Sequence, residues 1–444
     1  MMVKLWKKKK NLSKEIEKFT FGKERKLDLL LAPYDIISTM AHSSMLSSIE
    51  LLKGNEFKVL MQELKKIYLE IVEGNFYISD YVEDVHSQVE IILTHRLGEI
   101  GKKIHSGRSR NDQILLDLKL FIRQKIQSVV ENVYSLFKTL LTLSDNYKEI
   151  LMPGYTHDQI AMPSSFGLWF SSYAESLTDD FLLLQAAYRI TNKNPLGSAA
   201  GFGSSLPLDR EFTTHILGFE NFNYNVIYAQ MVRGKSERVV ADALASISYT
   251  LAKLSQDICL STSQNFGFIT FPDHITTGSS IMPHKKNIDV LELIRSLCNK
   301  INSLPNEIAM IIANLPSGYH RDFQIIKEIL LPIFDDLKSC LQIYKYLFEQ
   351  MIINNNILNY SKYHYLFSVE SVNKYVLEGM SFRDAYKKVG CEIQNGNFQT
   401  LTREVTTHVV NLCNENIHHF MKSVVNSFHF EKANEAVYRL LTVS

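Results

Sequence analysis

Proline and glycine are scarce in this chain, 10 and 19 among 444 residues. Long uninterrupted helices are therefore allowed, and the few breakers mark where the chain can turn. Cysteine is scarcer still. The five present (Cys259, Cys298, Cys340, Cys391 and Cys413) are scattered, odd in number and without a CxxC pair. That argues against a disulfide framework or a zinc site and fits a reducing cytoplasm. No apolar run approaches the length of a bilayer span, so no membrane helix is expected. The start, MMVKLWKKKK, has no apolar stretch behind its basic run and is not a secretory signal. Lys7–Lys10 read as a solvated basic end rather than an anchor to an anionic surface. Net charge is nearly absent, since 48 basic and 47 acidic residues leave +1. Nothing in that balance demands nucleic acid or an anionic membrane as partner.

What is present is helical periodicity. Hydrophobic residues make up 45% of the chain, enough for a large core, and 444 residues suffice for two or three domains. One helix is expected from about Asn111 to Tyr147, where Leu115, Leu118, Phe121, Ile122, Ile126, Val129, Val130, Val133 and Leu136 recur at helical spacing. A second follows Ser236 to about Ser263, a third runs from Asp289 towards Ile312, and a fourth from Phe323 to about Ile353. Helices of this length bury their stripes by packing as a bundle, so the expected fold is all-α. Strand signals are sparse. Phe266–Phe271 reads as loop or minor strand, and no fixed-period repeat is visible.

The Gly- and Ser-rich segments fall at the helix junctions, where a rigid scaffold can present functional loops. Gly278–Asn287 reads GSSIMPHKKN, with two lysines and an asparagine just before a helix start. Cations, an amide donor and helix N-terminal N–H groups can together receive a carboxylate. Met152–Gln159 reads MPGYTHDQ and places Thr156 and His157 after a Pro-Gly turn, at the mouth of a helix; a histidine there can act as acid or base near neutrality. His105–Gln113 reads HSGRSRNDQ and offers arginines, serines and an asparagine as an anion and amide clamp. His86 and Glu90 stand four apart on one helix face, a spacing that suggests a hydrogen-bonded pair rather than a metal site, since no further ligand accompanies it. Tyr319, Gln324 and Lys327 in YHRDFQIIK lie on nearby turns and can grip a polar chain end. Taken singly, these segments read first as a polar cap, a structural histidine, a salt-bridged turn or an amphipathic helix start. Their joint presence and order carry the information.

GSSIMPHKKN resembles the signature loop of the fumarate-releasing lyase superfamily, which includes class II fumarase, aspartase, adenylosuccinate lyase and argininosuccinate lyase. HSGRSRNDQ, MPGYTH, NPLGSAAGFGSS from Asn194 and YHRDFQIIK narrow the resemblance to the argininosuccinate lyase family. It extends from about Leu5 through LAPYD at Leu31–Asp35 to SFRDAYKKVG at Ser381–Gly390. The resemblance implies a homotetramer around a central helical bundle, with three mostly helical domains at about 1–108, 109–358 and 359–444. It implies active sites shared between subunits, with argininosuccinate as substrate, arginine and fumarate as products, and neither cofactor nor metal. Carried over by motif, His157 and Ser279 are the catalytic pair and Glu292 orients the histidine. Lys285 and Asn287 bind a carboxylate. Ser109, Arg110, Asn111 and Thr156 match substrate contacts; Tyr319, Gln324 and Lys327 hold the substrate, His86 lies near its carboxylates, and Thr39 falls where the family has serine. Which of Ser279 and His157 is the base stays open. Asp158, Ile288 and Ser38 depart from the family pattern, which has an apolar residue, a proline and a glycine at these positions. The runner-up enzyme is adenylosuccinate lyase, and a different class of answer is a crystallin-like structural protein on the same scaffold.

Overall fold

The structure is a computed structural model that describes residues 13–21, 24–400 and 413–442. Leu5 and the basic run Lys7–Lys10 lie outside the described residues. The frame consists of the helices Arg110–Asn146, Phe166–Thr191, Lys235–Thr262, Asp289–Ile311 and Ile333–Gln350. All of them feed one core, through Val133 and Phe137, Phe170 and Phe181, Leu244 and Leu251, Ile294 and Ile301, and Phe334 and Leu341 in turn. The fold is the expected all-α bundle of long helices. Lys235–Thr262 packs most extensively against Asp289–Ile311, and Phe166–Thr191 lies against both Arg110–Asn146 and Lys235–Thr262.

Two differences from the periodicity reading have physical causes. Phe166–Thr191 was not singled out, because it is covered by neighbours on several sides, Asn414–Asn426 included, and shows no single apolar stripe. The helix expected from Phe323 to Ile353 is instead two, Phe323–Leu330 and Ile333–Gln350. Pro332 stands between them and has no N–H to continue the first.

A second core joins the helices Glu24–Ser48, Gly54–Val72 and Val85–Leu97 through Ile36, Met40, Leu60, Leu64, Val85 and Val89. Leu116 and Leu120, from the first turns of Arg110–Asn146, belong to it as well, so the longest helix is shared between the two cores. A small satellite core holds Val372, Ala385, Val389 and Phe398. Among the described residues the strands form only two-stranded sheets. Ile269–Thr270 pairs with Ile352–Ile353, so of the two readings of Phe266–Phe271, loop or minor strand, part of the segment is a strand. Among the described residues, no helix is long and apolar enough to cross a membrane.

Candidate active site

The longest helix is fixed at its start by a capping box. Ser109 accepts from the Asn111 N–H at 3.3 Å, and the Ser109 N–H donates to Asp112 Oδ1 at 2.9 Å. Asp112 Oδ2 accepts from the N–H groups of Gly197 (3.1 Å) and Ala199 (2.8 Å). One carboxylate therefore ties the RSRND turn to the NPLGSAAG loop. Burial, opposed by these N–H donors and by Arg108, raises its pKa to about 6.

Next to this helix start lies a cleft of about 240 Å³, lined by His86, Arg110, Asn111, Tyr319, Gln324 and Lys327 together with Asp28, Glu83, Asp84 and Arg321. Six residues chosen from distant motifs thus converge within one chain. Their charges are largely met internally. Arg110 contacts Asp84 Oδ2 at 2.8 Å through Nε and Glu83 Oε2 at 3.2 Å through Nη1, and donates to Ser87 Oγ at 3.0 Å through Nη2. The expected anion clamp is, within this chain, already engaged by carboxylates. Lys327 Nζ lies 2.9 Å from Asp28, both buried, and Gln324 Nε2 donates to Tyr319 OH at 2.7 Å. Two buried atoms of the lining have no partner, His86 Nε2 and Gln324 Oε1. A ligand carrying both an acceptor and an N–H donor would satisfy them.

Two expected placements are corrected. His86 does not pair with Glu90; its Nδ1 lies 2.8 Å from Asp35 Oδ1, while Glu90 lies 3.6 Å from His105. A carboxylate from another helix reaches the ring more directly than one on its own. Thr39 is fully buried, does not line the cleft, and accepts from Arg108 Nη1 at 3.0 Å.

The other expected site residues lie elsewhere on this chain. Thr156 and His157 are exposed, and not at the mouth of a helix: Leu151–Thr156 and Gln159–Ser165 form an antiparallel hairpin. Thr156 pairs with Gln159, so His157 and Asp158 are its two-residue turn, at φ 53° and 57°. Left-handed backbone at both central positions is what a tight hairpin turn requires. Asp158, Tyr155, Trp169 and Asp257 line a separate hollow of about 670 Å³ behind the turn.

The signature loop is likewise a hairpin, with Thr277–Gly278 paired to Lys286–Asn287 and an exposed tip between them. Ser279 Oγ accepts from the N–H groups of Ile281 (3.4 Å) and Met282 (3.1 Å). Asp289–Ile311 starts at once behind the loop. Ile288, at its N-cap, supplies no side-chain bond, and Thr277 Oγ1 donates to Asp289 Oδ2 at 2.6 Å instead. Lys285, Asn287 and Glu292 line a third, open hollow of about 510 Å³ with His284 and Lys286. No hydrogen bond joins His157 to Glu292 within the chain; each lies at its own surface. Asp28, Asp35, Glu83, Asp84 and Asp112 are residues of the site that sequence reasoning missed. Asp112 alone was accessible, as the acid three residues after a helix-capping serine.

Comparison with known proteins bears on the fold and the family. Residues 12–302 match the protein family described as lyase. The chain is 57% identical over 444 residues to the argininosuccinate lyase of Parabacteroides distasonis, covering 99% of this chain and 100% of that one. It is 37% identical over 389 residues to that of Thermotoga neapolitana, covering 88% and 98%. Among solved structures it resembles EDDS lyase in complex with formate, at TM-score 0.73 and 19% identity over 93% of this chain and 90% of that one. Class II fumarase from Schistosoma mansoni gives TM-score 0.71 at 15% identity, over 92% and 94%. At such identities the structural likeness speaks for the fold. The whole-length likeness in sequence goes further: the chain belongs to the argininosuccinate lyase family, within the fumarase/aspartase superfamily of lyases.

Proposed function

We propose that the chain is a carbon–nitrogen lyase that splits argininosuccinate reversibly into arginine and fumarate, without metal or cofactor, as a step of arginine biosynthesis. The observation that carries this is the 57% identity to an argininosuccinate lyase along the entire length, with Ser279, Lys285, Asn287 and Thr156–His157 all present.

The proton to be removed sits on a carbon beside a carboxylate, and its loss creates a dianion. Positive charge and N–H donors must therefore be concentrated around that carboxylate first. Lys285, Asn287 and the helix start at Asp289 supply them. A free serine hydroxyl is a weak base, but the Ile281 and Met282 N–H groups already point at Ser279 Oγ and stabilise its anion. We therefore assign the base to Ser279. His157, oriented by Glu292, protonates the leaving guanidinium nitrogen. The cleft of His86, Arg110, Asn111, Tyr319, Gln324 and Lys327, with Ser109 at the cap of the adjoining helix, holds the rest of the substrate. Thr156 contacts it from the hairpin.

The cleft, the His157 turn and the signature loop are separate surfaces of one chain, so we propose that other copies complete each site within a homotetramer. Exposed Leu182 and Leu183, Tyr249 and Leu260, and Leu293 and Met310 on three bundle helices support this, because so much apolar surface calls for cover. We divide the chain into domains at 1–108, 109–358 and 359–444, and place it in the cytoplasm, in keeping with its free cysteines. The test is the absorbance of fumarate released from argininosuccinate, with adenylosuccinate in parallel. Release from argininosuccinate alone is expected; release only from adenylosuccinate, or from neither, overturns the reading.

A further inference from the structure

His86 of the cleft is backed by two carboxylates that the scheme above leaves without a task. His86 Nδ1 lies 2.8 Å from Asp35 Oδ1 and 3.6 Å from Asp117 Oδ2, and both carboxylates are fully buried. Gln113 Nε2 donates to Asp35 Oδ1 at 2.7 Å and Ser38 Oγ to Asp117 Oδ1 at 2.8 Å, so the remaining oxygens and His86 Nε2 are buried without partners. His86 lines the cleft, and with Nδ1 engaged by Asp35 its partnerless Nε2 is the ring nitrogen left for a ligand.

We propose that Asp35 is a positioning residue. It accepts the Nδ1 proton and, with Asp117 behind it, keeps His86 as an imidazolium whose Nε2–H grips a carboxylate of the substrate. This rests on the lyase reading and gives Asp35 and Asp117 tasks that the motifs did not assign. The electrostatics agree. Burial alone would lower the histidine pKa, but Asp35, Asp117 and Asp84 outweigh it and raise it to about 9. Arg108 supplies opposing positive charge nearby, whereas burial and the neighbouring arginines lower the pKa of His105 and leave it mostly neutral. Burial and the charge on Asp35 push Asp117 well above the carboxylate range, while His86 draws Asp35 below it despite burial. Two buried carboxylates this close share one proton, which leaves a single anion to hold the imidazolium.

The experiment compares wild type, Asp35→Asn, His86→Gln and the double variant, reading kcat and KM for argininosuccinate against pH. The amide of Asp35→Asn still accepts from Nδ1 but carries no charge. We expect KM to rise about tenfold in either single variant, the size of one lost charged hydrogen bond, with kcat much less affected. The alkaline rise of KM, near pH 9 in wild type, moves towards neutrality in Asp35→Asn and vanishes in His86→Gln. The double variant matches His86→Gln, because Asp35 acts through the ring. Additive losses in the double variant, or an alkaline rise that persists in His86→Gln, overturn the proposal, even if Asp35→Asn fails to fold. A wild type that releases no fumarate refutes the lyase reading instead, so the two failures are distinct.

Discussion

In the proposed mechanism, turnover rests on Ser279 and His157. Ser279→Ala removes the acceptor of two loop N–H groups, and His157→Asn removes the acid from an exposed turn; neither touches a core. Each is expected to lower fumarate release at least about a thousandfold while leaving the circular dichroism spectrum and assembly unchanged. His86 has a second signature, in stability. Its folded pKa of about 9 exceeds the unfolded value of about 6.5, so its charge stabilises the fold fully below the unfolded value. That contribution, at most about 3 kcal/mol, is lost as pH rises through the folded value. The difference in melting temperature between wild type and His86→Gln should therefore shrink from pH 6 to pH 10. At this scale the motifs were legible because their residues are adjacent in sequence. The carboxylates were not. Asp35 is 51 residues from His86 and Asp28 is 299 from Lys327. No local pattern records such pairings, and the i,i+4 spacing of His86 and Glu90 suggested the wrong one.

At the scale of elements, the long helices followed from periodicity because each buries one stripe, and their starts followed from capping chemistry. Ser109→Ala should cost about 1 kcal/mol in thermal or urea unfolding, besides any effect on substrate. The hairpin carrying His157 was illegible for the opposite reason. MPGYTHDQ has no glycine or asparagine where the turn needs left-handed backbone, so nothing announced a two-residue loop. Asp158→Gly should relieve that turn and stabilise the chain by about 0.5 kcal/mol, read from the urea midpoint. A lower midpoint would mean that Asp158 makes a contact worth more than its backbone strain. Ile288 follows the signature loop where the resemblance calls for proline; it gives the helix start no side-chain bond, and Thr277 donates to Asp289 there instead.

For the whole molecule, the bundle was legible from scarce breakers and long stripes, and the grouping of motifs into one site was legible only through the family resemblance. The folded chain explains why. It brings six expected residues into one cleft, and leaves the acid turn and the signature loop on other faces. Under the proposed function, such a distribution puts the chemistry between copies. The decisive measurement mixes the inactive Ser279→Ala and His157→Asn proteins, dissociates and reassociates them, and follows fumarate from argininosuccinate. If each site draws these two residues from different copies, random reassembly restores about a quarter of the native sites, and activity returns to that level. A mixture as inactive as its components, although reassembled, would contradict the shared site.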